Sequence, residues 1–195
     1  MNRKYAKSLK IAVLAIATVA FVAVGVVKAE DEVKVLKLGD PAPALQVAEW
    51  LQGGPIALNE GKGSKIYVVE FWATWCPPCR VTIPHLTELY KKYKGQGLEV
   101  VAITDEDPEY VKEFLTEQGD KLAYPVAIDR DQLTAIDYML GVNVNTIPHA
   151  FVIDAQGKLV WHGSPLNGLE EAVKQHLPKK DKAPSRAKAP SGNEV

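Results

Sequence analysis

Cys76 and Cys79 are the only cysteines in the chain of 195 residues, and two prolines separate them. In the first turn of a helix this spacing brings the sulfurs close enough to bond with little backbone movement, so dithiol and disulfide are both accessible. Free N–H groups and the positive end of the helix dipole stabilise a thiolate at the first cysteine. The pattern predicts reversible disulfide chemistry, with Cys76 as the exposed nucleophile and Cys79 as the buried resolving partner.

Cys-x-x-Cys is also a zinc-ligand spacing, which leaves half of a structural zinc site as an alternative. A second cysteine pair is missing, and only four histidines could complete a tetrahedral shell. We therefore predict no metal and no cofactor other than the redox-active Cys76–Cys79 disulfide itself.

The segments around the cysteines predict how they are positioned. Residues 65–72 form an apolar run typical of a buried strand, and Pro77 suits the first position of a helix over residues 77–90, kinked at Pro84. A second apolar run at 98–104 completes a β-α-β unit with Cys76 at the carboxyl end of a strand. Ligands usually bind at this end in open α/β sheets.

Glu70 stands out because it alternates with apolar neighbours on the predicted central strand. A buried carboxylate is costly unless it is neutral or has a role, so burial would raise the pKa of Glu70. Such a carboxyl could accept the proton of Cys79 as this sulfur attacks a mixed disulfide. The alternative is a glutamate on an edge strand, paired with solvent.

Two motifs together resemble the thioredoxin superfamily. The first is EFWATWCPPCR from Glu70 to Arg80, with Pro84 five residues after the second cysteine, and the second is Thr146-Ile147-Pro148 ahead of an apolar strand. The separation between Cys79 and Pro148 exceeds that of a minimal thioredoxin by about one helix and one strand. This spacing is similar to the TlpA/ResA-like branch of extracytoplasmic thiol-disulfide oxidoreductases, and the resemblance covers residues 39–176.

The resemblance implies an α/β thioredoxin-like fold, with a central mixed β-sheet flanked by helices. It places Glu70 where the family usually has a buried acid beneath the second cysteine. It implies a cis bond before Pro148 that leaves the Ile147 backbone free to pair with an extended client chain. Trp75 and Pro77 are the expected substrate contacts beside the sulfurs.

Turn residues and apolar periodicity outline the remaining elements. They predict an N-terminal β-hairpin (44–51 and 55–58), a helix (108–118), an inserted strand and helix (125–129 and 132–140), a second hairpin (150–154 and 158–162) and a closing helix (166–177).

The leading functional prediction is a protein-disulfide reductase, and the family resemblance suggests apocytochrome c or copper-site proteins as clients. A membrane electron donor would regenerate the dithiol. A dithiol oxidase remains a rival, because about 30 mV of potential corresponds to only about 1.4 kcal/mol. A copper-binding or metallochaperone module is a rival from a different class.

His149 is the residue on which that second rival depends. Next to Pro148, a charged imidazole could favour the Cys76 thiolate, or a neutral one could join both sulfurs as a copper ligand. His162 lies on a predicted strand surface and is given no role.

The ends of the chain predict its compartment. Four basic residues precede an uncharged apolar run at 11–27, which is typical of a secretory signal. Residues 1–29 are either a signal peptide cleaved after Ala29 or an uncleaved membrane anchor, and in both cases the remainder is exported to the periplasmic side. Residues 30–38 form a linker, 39–177 the thioredoxin-like domain and 178–195 a disordered basic tail.

The charge distribution argues against nucleic-acid binding. The net charge is −1, but residues 30–177 carry 13 basic and 22 acidic side chains, and the remaining basic residues lie at the two ends. Nucleic-acid recognition would require basic residues clustered on the domain itself.

Overall fold

The computed structural model describes residues 34–178. Its elements are strands β1 (Val47–Gln52), β2 (Ile66–Phe71), β3 (Leu98–Thr104), β4 (Val126–Asp129), β5 (His149–Ile153) and β6 (Leu159–Gly163) and helices α1 (Pro77–Tyr93), α2 (Pro108–Gln118), α3 (Leu133–Ala135) and α4 (Leu169–His176). A single π-helical turn, Ile136–Leu140, continues α3. Among the described residues, no helix has the length and apolarity needed to cross a bilayer.

The strands form one mixed sheet in the order β1-β4-β3-β2-β5-β6. The central strands β2, β3 and β4 run parallel, while β1, β5 and β6 pair antiparallel with their neighbours. All six residues of β2 are buried, because both faces of the sheet are covered. The predicted α/β fold with a flanked mixed sheet is confirmed.

Alternate side chains of the central strands enter two separate cores. One core packs Val68, Val100 and Val152 against α1, α2 and α4. The other packs Phe71 and Phe151 against the N-terminal segment and the π-helical turn. The sheet therefore separates the two layers of apolar side chains.

Local sequence signals explain where α1 and α2 begin. Cys76 is the N-cap of α1 and has extended backbone angles, and Pro77 and Pro78 occupy the first turn, where their missing N–H groups are not needed. Asp107 caps α2 by accepting a hydrogen bond of 2.9 Å from the Glu109 N–H. Both starts agree with the sequence prediction.

The predicted N-terminal hairpin is wrong. Residues 55–58 form no strand, and β1 pairs antiparallel with β4 instead. Gly53 and Gly54 both have positive φ and turn the chain away from a hairpin path. The Gln52 side chain also holds β1 beside β4, because its amide donates hydrogen bonds of 2.9 and 2.8 Å to the carbonyls of Leu122 and Tyr124.

Both edge strands have an irregular register. The pairing of β1 with β4 shifts between Val47 and Glu49 and again between Trp50 and Gln52. The pairing of β6 with β5 shifts between Val152 and Ile153. The outer strands are thus less regular than the parallel centre.

Candidate active site

Cys76 and Cys79 form a disulfide at the start of α1, with sulfurs 2.07 Å apart. The backbone N–H of Cys79 donates a 3.2 Å hydrogen bond to Cys76 Sγ, so this amide of the first helical turn faces the sulfur, whereas Pro77 and Pro78 have no N–H to contribute. The same contact would stabilise negative charge on Cys76 in the dithiol form.

The prediction of an exposed Cys76 is wrong for this oxidised state. Cys76 is 3% exposed and Cys79 is fully buried. The loop before β5 covers the first sulfur, because the Ile147 carbonyl oxygen lies 3.9 Å from Cys76 Sγ. The Ile147–Pro148 peptide bond is cis.

Trp75 is 69% exposed and stands beside the disulfide. It separates two concavities and lines both of them. A pocket of about 260 Å³ lies on one side, between Ile147 and the π-helical residues Met139 and Leu140. A groove of about 320 Å³ lies on the other side, lined by Tyr110 and Phe114 together with Glu106, Glu113 and Glu117. An extended chain could contact both concavities while it reaches the sulfurs.

Glu70 is buried on the central strand, with 1% of its surface exposed. Its neighbours in register, Ala102 on β3 and Ala150 on β5, are small and leave room for the carboxyl group. Burial raises the pKa of Glu70 to about 8, and the nearby hydroxyl groups of Thr82 and Tyr124 oppose this rise.

Thr82 links Glu70 to the second cysteine. Its hydroxyl lies 3.0 Å from Glu70 Oε1 and 2.8 Å from the carbonyl oxygen of Cys79. A hydroxyl has one proton to donate, so a neutral carboxyl that donates to Thr82 frees the Thr82 proton for Cys79. Sequence reasoning missed this residue, although a threonine three residues after Cys79 would lie on the same helix face.

Glu70 Oε2 is buried and has no hydrogen-bond partner among the described residues. The Tyr124 side chain faces the carboxyl and contributes to its pKa, but its geometry does not complete a hydrogen bond to Oε2. Burial, and next the charge of Glu70, keep the pKa of Tyr124 well above its usual value, so the phenol is neutral.

Glu106 and Arg80 hold the loop that precedes the disulfide. The Glu106 carboxylate accepts hydrogen bonds of 2.7 Å from the Thr74 N–H, 2.6 Å from the Thr74 hydroxyl and 3.0 Å from the Thr104 hydroxyl. Arg80 Nε donates a 2.8 Å hydrogen bond to the Thr74 carbonyl. Sequence reasoning missed both residues, although Glu106 follows a parallel strand at the sheet edge where sites form.

His149 does not supply a positive charge to Cys76. It is paired in register with Phe71, whereas Glu70 pairs with Ala150, so the His149 ring lies on the opposite face of the sheet from Glu70. Its Nε2 lies 3.1 Å from Nδ1 of His162. Burial, and next the neighbouring His162, lower the pKa of His149 to about 4, so the imidazole is neutral at pH 7.

His162, which the sequence left without a role, is thus the partner of His149. Its ring also stacks on Phe151, with centroids 5.7 Å apart. Within residues 34–178 of this oxidised state, no three His, Cys, Asp or Glu side chains are gathered in a way that could hold a metal ion.

Comparison with known proteins agrees with this geometry. Residues 38–162 match the model of the AhpC/TSA family. The thiol-disulfide oxidoreductase ResA of Bacillus anthracis is 39% identical over 126 residues, which cover 64% of this chain and 68% of the relative. ResA of Bacillus thuringiensis subsp. konkukian is 34% identical over 146 residues, covering 73% and 80%.

Solved structures give the same result. A thioredoxin-family thiol:disulfide interchange protein from Chlorobium tepidum matches with a TM-score of 0.60 and 31% identity, covering 72% of this chain and 98% of that protein. The thioredoxin domain of a thiol-disulfide oxidoreductase from Bacteroides vulgatus matches with a TM-score of 0.61 and 26% identity, covering 73% and 99%. The chain therefore belongs to the thioredoxin-fold AhpC/TSA family and, within it, to the ResA-like thiol-disulfide oxidoreductases.

Proposed function

We propose that this oxidoreductase works outside the cytoplasm as a reductant of disulfides in client proteins. The observation that carries the proposal is the Cys76–Cys79 disulfide at the N-terminus of α1, beside Trp75 and the Ile147 carbonyl. The basic and apolar N-terminal sequence supports export, and it falls outside the described residues. Whether that segment is cleaved or remains an anchor, and whether 178–195 is a disordered tail, stay predictions.

The reaction begins when the Cys76 thiolate attacks one sulfur of a client disulfide. The client S–S bond breaks, and the second client sulfur leaves with the electron pair and takes up a proton. Cys79 then gives its proton to the ionised Glu70 carboxylate and attacks Cys76 Sγ, and the first client sulfur leaves with the electron pair as a thiolate that takes up a proton from solvent. The client gains two electrons, and the Cys76–Cys79 disulfide forms.

Positioning groups support these roles. The Cys79 N–H would stabilise the Cys76 thiolate, and Thr82 connects Glu70 with the turn that carries Cys79. Ile147, Pro148, Trp75 and Pro77 would contact the extended client around the sulfurs. A second dithiol on the membrane must return two electrons before the next cycle.

The client class is the finer part of the proposal. Apocytochrome c or an unmetallated copper-site protein fits a reductant outside the cytoplasm, where cysteines that must bind haem or metal would otherwise be oxidised. The acidic groove beside Trp75 would suit a client whose cysteine is flanked by basic residues.

Trapping of mixed disulfides tests the proposal. Cells carrying the full chain with Cys79→Ala should accumulate clients bound to Cys76, because the resolving thiol is gone; Cys76→Ser/Cys79→Ala is the matched control and should trap none. In the same cells, thiol alkylation should find the wild-type pair mostly reduced. A mostly oxidised pair would instead indicate a dithiol oxidase, and trapping that does not depend on Cys76 would refute disulfide exchange at this site.

A further inference from the structure

Thr82 has two hydrogen-bond acceptors within reach and only one proton to donate. Its side chain is fully buried on α1, and its hydroxyl lies 3.0 Å from Glu70 Oε1 and 2.8 Å from the Cys79 carbonyl oxygen. A carbonyl oxygen and an ionised carboxylate can only accept a hydrogen bond, whereas a protonated carboxyl can also donate one. The direction of the Thr82 hydroxyl therefore depends on whether Glu70 is ionised.

Both contacts of Thr82 can be satisfied together when Glu70 is neutral. The carboxyl then donates its proton to the Thr82 oxygen, and the Thr82 hydroxyl donates to the Cys79 carbonyl. When Glu70 is ionised, its carboxylate and this carbonyl compete for the single Thr82 proton. A hydrogen bond to a charged acceptor is roughly twice as strong as one to a neutral acceptor, so the hydroxyl turns to Glu70 and the Cys79 carbonyl loses this donor.

The surroundings of Glu70 make this donor important. Glu70 Oε2 is buried without a hydrogen-bond partner among residues 34–178. The polar groups there that affect the pKa of Glu70 are the Thr82 hydroxyl and the neutral phenol of Tyr124, and no charged side chain does so. Without Thr82, no side chain would complete a hydrogen bond to the buried carboxylate, which makes the ionised form costly.

The turn that carries Cys79 is also short of backbone hydrogen bonds. Pro84 lies inside α1 and has no N–H, so the Arg80 carbonyl lacks its usual helical donor. The Thr82 hydroxyl supplies a donor to the carbonyl of Cys79, the residue just before Arg80. Turning this hydroxyl away therefore acts on a part of α1 that is less constrained than a regular helix.

We propose that Thr82 is a positioning residue for the resolving step, whose hydroxyl turns from the Cys79 carbonyl to the Glu70 carboxylate when Glu70 ionises. The turned hydroxyl stabilises the base that takes the Cys79 proton. It also releases the turn of Cys79 from one hydrogen bond in the state in which Cys79 attacks. Thr82 keeps its own proton throughout, and the inference rests on the proposed role of Glu70 as proton acceptor.

The first test uses the oxidised full-length protein and requires no client. The chain has two cysteines, so cysteine labelled with carbon-13 at the carbonyl gives two signals. Carbon-detected spectra that correlate each carbonyl with the following nitrogen separate these signals, because Cys76 precedes a proline and Cys79 precedes an arginine. The carbon-13 signal of the Glu70 carboxyl, which is absent from Glu70→Gln, reports ionisation in the same protein.

The Cys79 carbonyl signal of the wild type should move upfield as pH rises through the Glu70 pKa of about 8, because the carbonyl loses a hydrogen bond. A signal that stays constant while Glu70 ionises would overturn the proposal, whatever the variants do. Thr82→Ser keeps the hydroxyl and should behave like the wild type.

Thr82→Val replaces the hydroxyl with a methyl group of similar size. The pKa of Glu70 should rise by about one unit, because the ionised form loses its donor, and the Cys79 carbonyl signal should no longer follow the ionisation of Glu70. An unchanged Glu70 pKa in Thr82→Val would contradict the proposal. So would a Cys79 signal that still follows Glu70 as in the wild type.

The second test measures client release. Reduced full-length protein is mixed with a disulfide-linked cysteine peptide, and rapid-quench mass spectrometry follows the peptide on Cys76. Near pH 7, Thr82→Val should slow release about tenfold, because a rise of one unit in the Glu70 pKa lowers the ionised fraction by that factor. Near pH 10, Glu70 is mostly ionised in every variant, so the rates should be nearly equal. Equal slowing at both pH values would reduce Thr82 to a purely structural role and overturn the proposal.

Thr87→Val is the matched control for both tests. Thr87 is a buried threonine of the same helix, but its hydroxyl donates a 2.7 Å hydrogen bond to the Lys121 carbonyl instead. This variant should leave the Glu70 pKa and the pH dependence of release unchanged.

The tests distinguish failure of the proposed function from failure of the inference. If the wild type forms no mixed disulfide at Cys76, or if Glu70→Gln releases the peptide at the wild-type rate, the proposed function of the site fails. If Glu70→Gln slows release while Thr82→Val leaves the Glu70 pKa and the pH dependence unchanged, only the role of Thr82 fails.

Discussion

At the scale of single residues, the role proposed for Glu70 makes the resolving step depend on pH. With a pKa of about 8, the Glu70 carboxyl is mostly neutral at neutral pH and can still ionise, whereas an exposed glutamate would be fully ionised there. A group that gives and takes a proton works best when its pKa is near the operating pH. Burial of the carboxyl on the central strand, between two small alanines, is the structural feature that raises this pKa.

Glu70→Gln should slow the release of client from the mixed disulfide by about 100-fold near neutral pH, because the amide cannot accept the Cys79 proton. Thiol trapping of the intermediate measures this rate. The attack of Cys76 on the client should be nearly unchanged and serves as the internal control. If Glu70→Gln released the client at the wild-type rate from pH 6 to 9, Glu70 would not be the proton acceptor.

The same substitution should change how stability depends on pH. The pKa of Glu70 is raised by folding from 4.5 to about 8, so the native state binds more protons between these values, and stability falls as pH rises through that window. The shift corresponds to roughly 5 kcal/mol in total. In denaturant titrations of the oxidised protein, the unfolding free energy of Glu70→Gln should rise relative to that of the wild type from pH 5 to pH 9. If both unfolding free energies changed with pH in the same way, burial would not be the cause of the raised pKa.

Glu106 has a structural effect, because its carboxylate holds the loop that precedes the disulfide. Three hydrogen bonds from Thr74 and Thr104 converge on its carboxylate. Glu106→Ala should cost about 2 kcal/mol of unfolding free energy. Glu113→Ala, an exposed glutamate in the same groove, should stay within about 0.5 kcal/mol. Equal losses for the two variants would show that the loop does not depend on Glu106.

At the scale of elements, Glu170 adds polar contacts between α4 and α1, which share one apolar core. Glu170 accepts hydrogen bonds from Lys92 and Tyr93 on α1, at 2.8 and 2.9 Å, and pairs with Lys174 on its own helix at 3.1 Å. Lys92, then Tyr93 and Lys174, lower the pKa of Glu170 to about 2. The site is partly open to solvent, which limits what these contacts contribute.

Glu170→Gln should lower the unfolding free energy by about 1 kcal/mol at low salt and by less at high salt. Because the folded pKa is depressed, the contribution is present at neutral pH and is lost as pH falls toward 2. Thermal unfolding at two ionic strengths measures it, with exposed Glu171→Gln as the control. A loss that is independent of salt would point to packing instead.

The elements differ in how far the sequence predicts them. The bounds of α2 follow from Asp107, Pro108 and the apolar stripe, which are all local signals. The pairing of β1 was not predictable in the same way, because it depends on where β4 lies and on hydrogen bonds from Gln52 to residues about 70 positions away. The helix predicted over 132–140 contains a π-helical turn, which no local pattern marked.

The residues of the site differ in the same way, because local sequence patterns predict some of them and not others. The spacing of Cys76 and Cys79 and the alternation around Glu70 are local, so the sequence identified those residues. Other contacts arise only when separate segments of the chain meet in the fold. These are the contact of Ile147 that covers Cys76, the hydrogen bond between Thr82 and Glu70, and the pairing of His149 with His162. A residue such as His162 looks ordinary on its own strand and acquires a partner through the neighbouring one.

At the scale of the whole molecule, the sheet separates two cores that belong to one folding unit. Ile83 lies in the core beneath α1, and Ile153 lies in the core on the other face. Ile83→Val and Ile153→Val should each cost about 1 kcal/mol, since both side chains are almost fully buried. Both variants should still unfold in one transition.

The double variant Ile83→Val/Ile153→Val tests whether the sheet insulates the two cores. Because the two side chains lie in different cores, the two losses should add within about 0.5 kcal/mol in denaturant titrations. A larger departure from additivity would mean that packing changes pass through the sheet.

The register shifts of β1 and β6 affect whether another chain can pair with the edges of the sheet. Regular edge strands present rows of free N–H and C=O groups, and an extended polypeptide readily adds to them as a further strand. The bulges of β1 and β6 interrupt these rows, so the edges of the sheet are poor templates for pairing with another polypeptide chain.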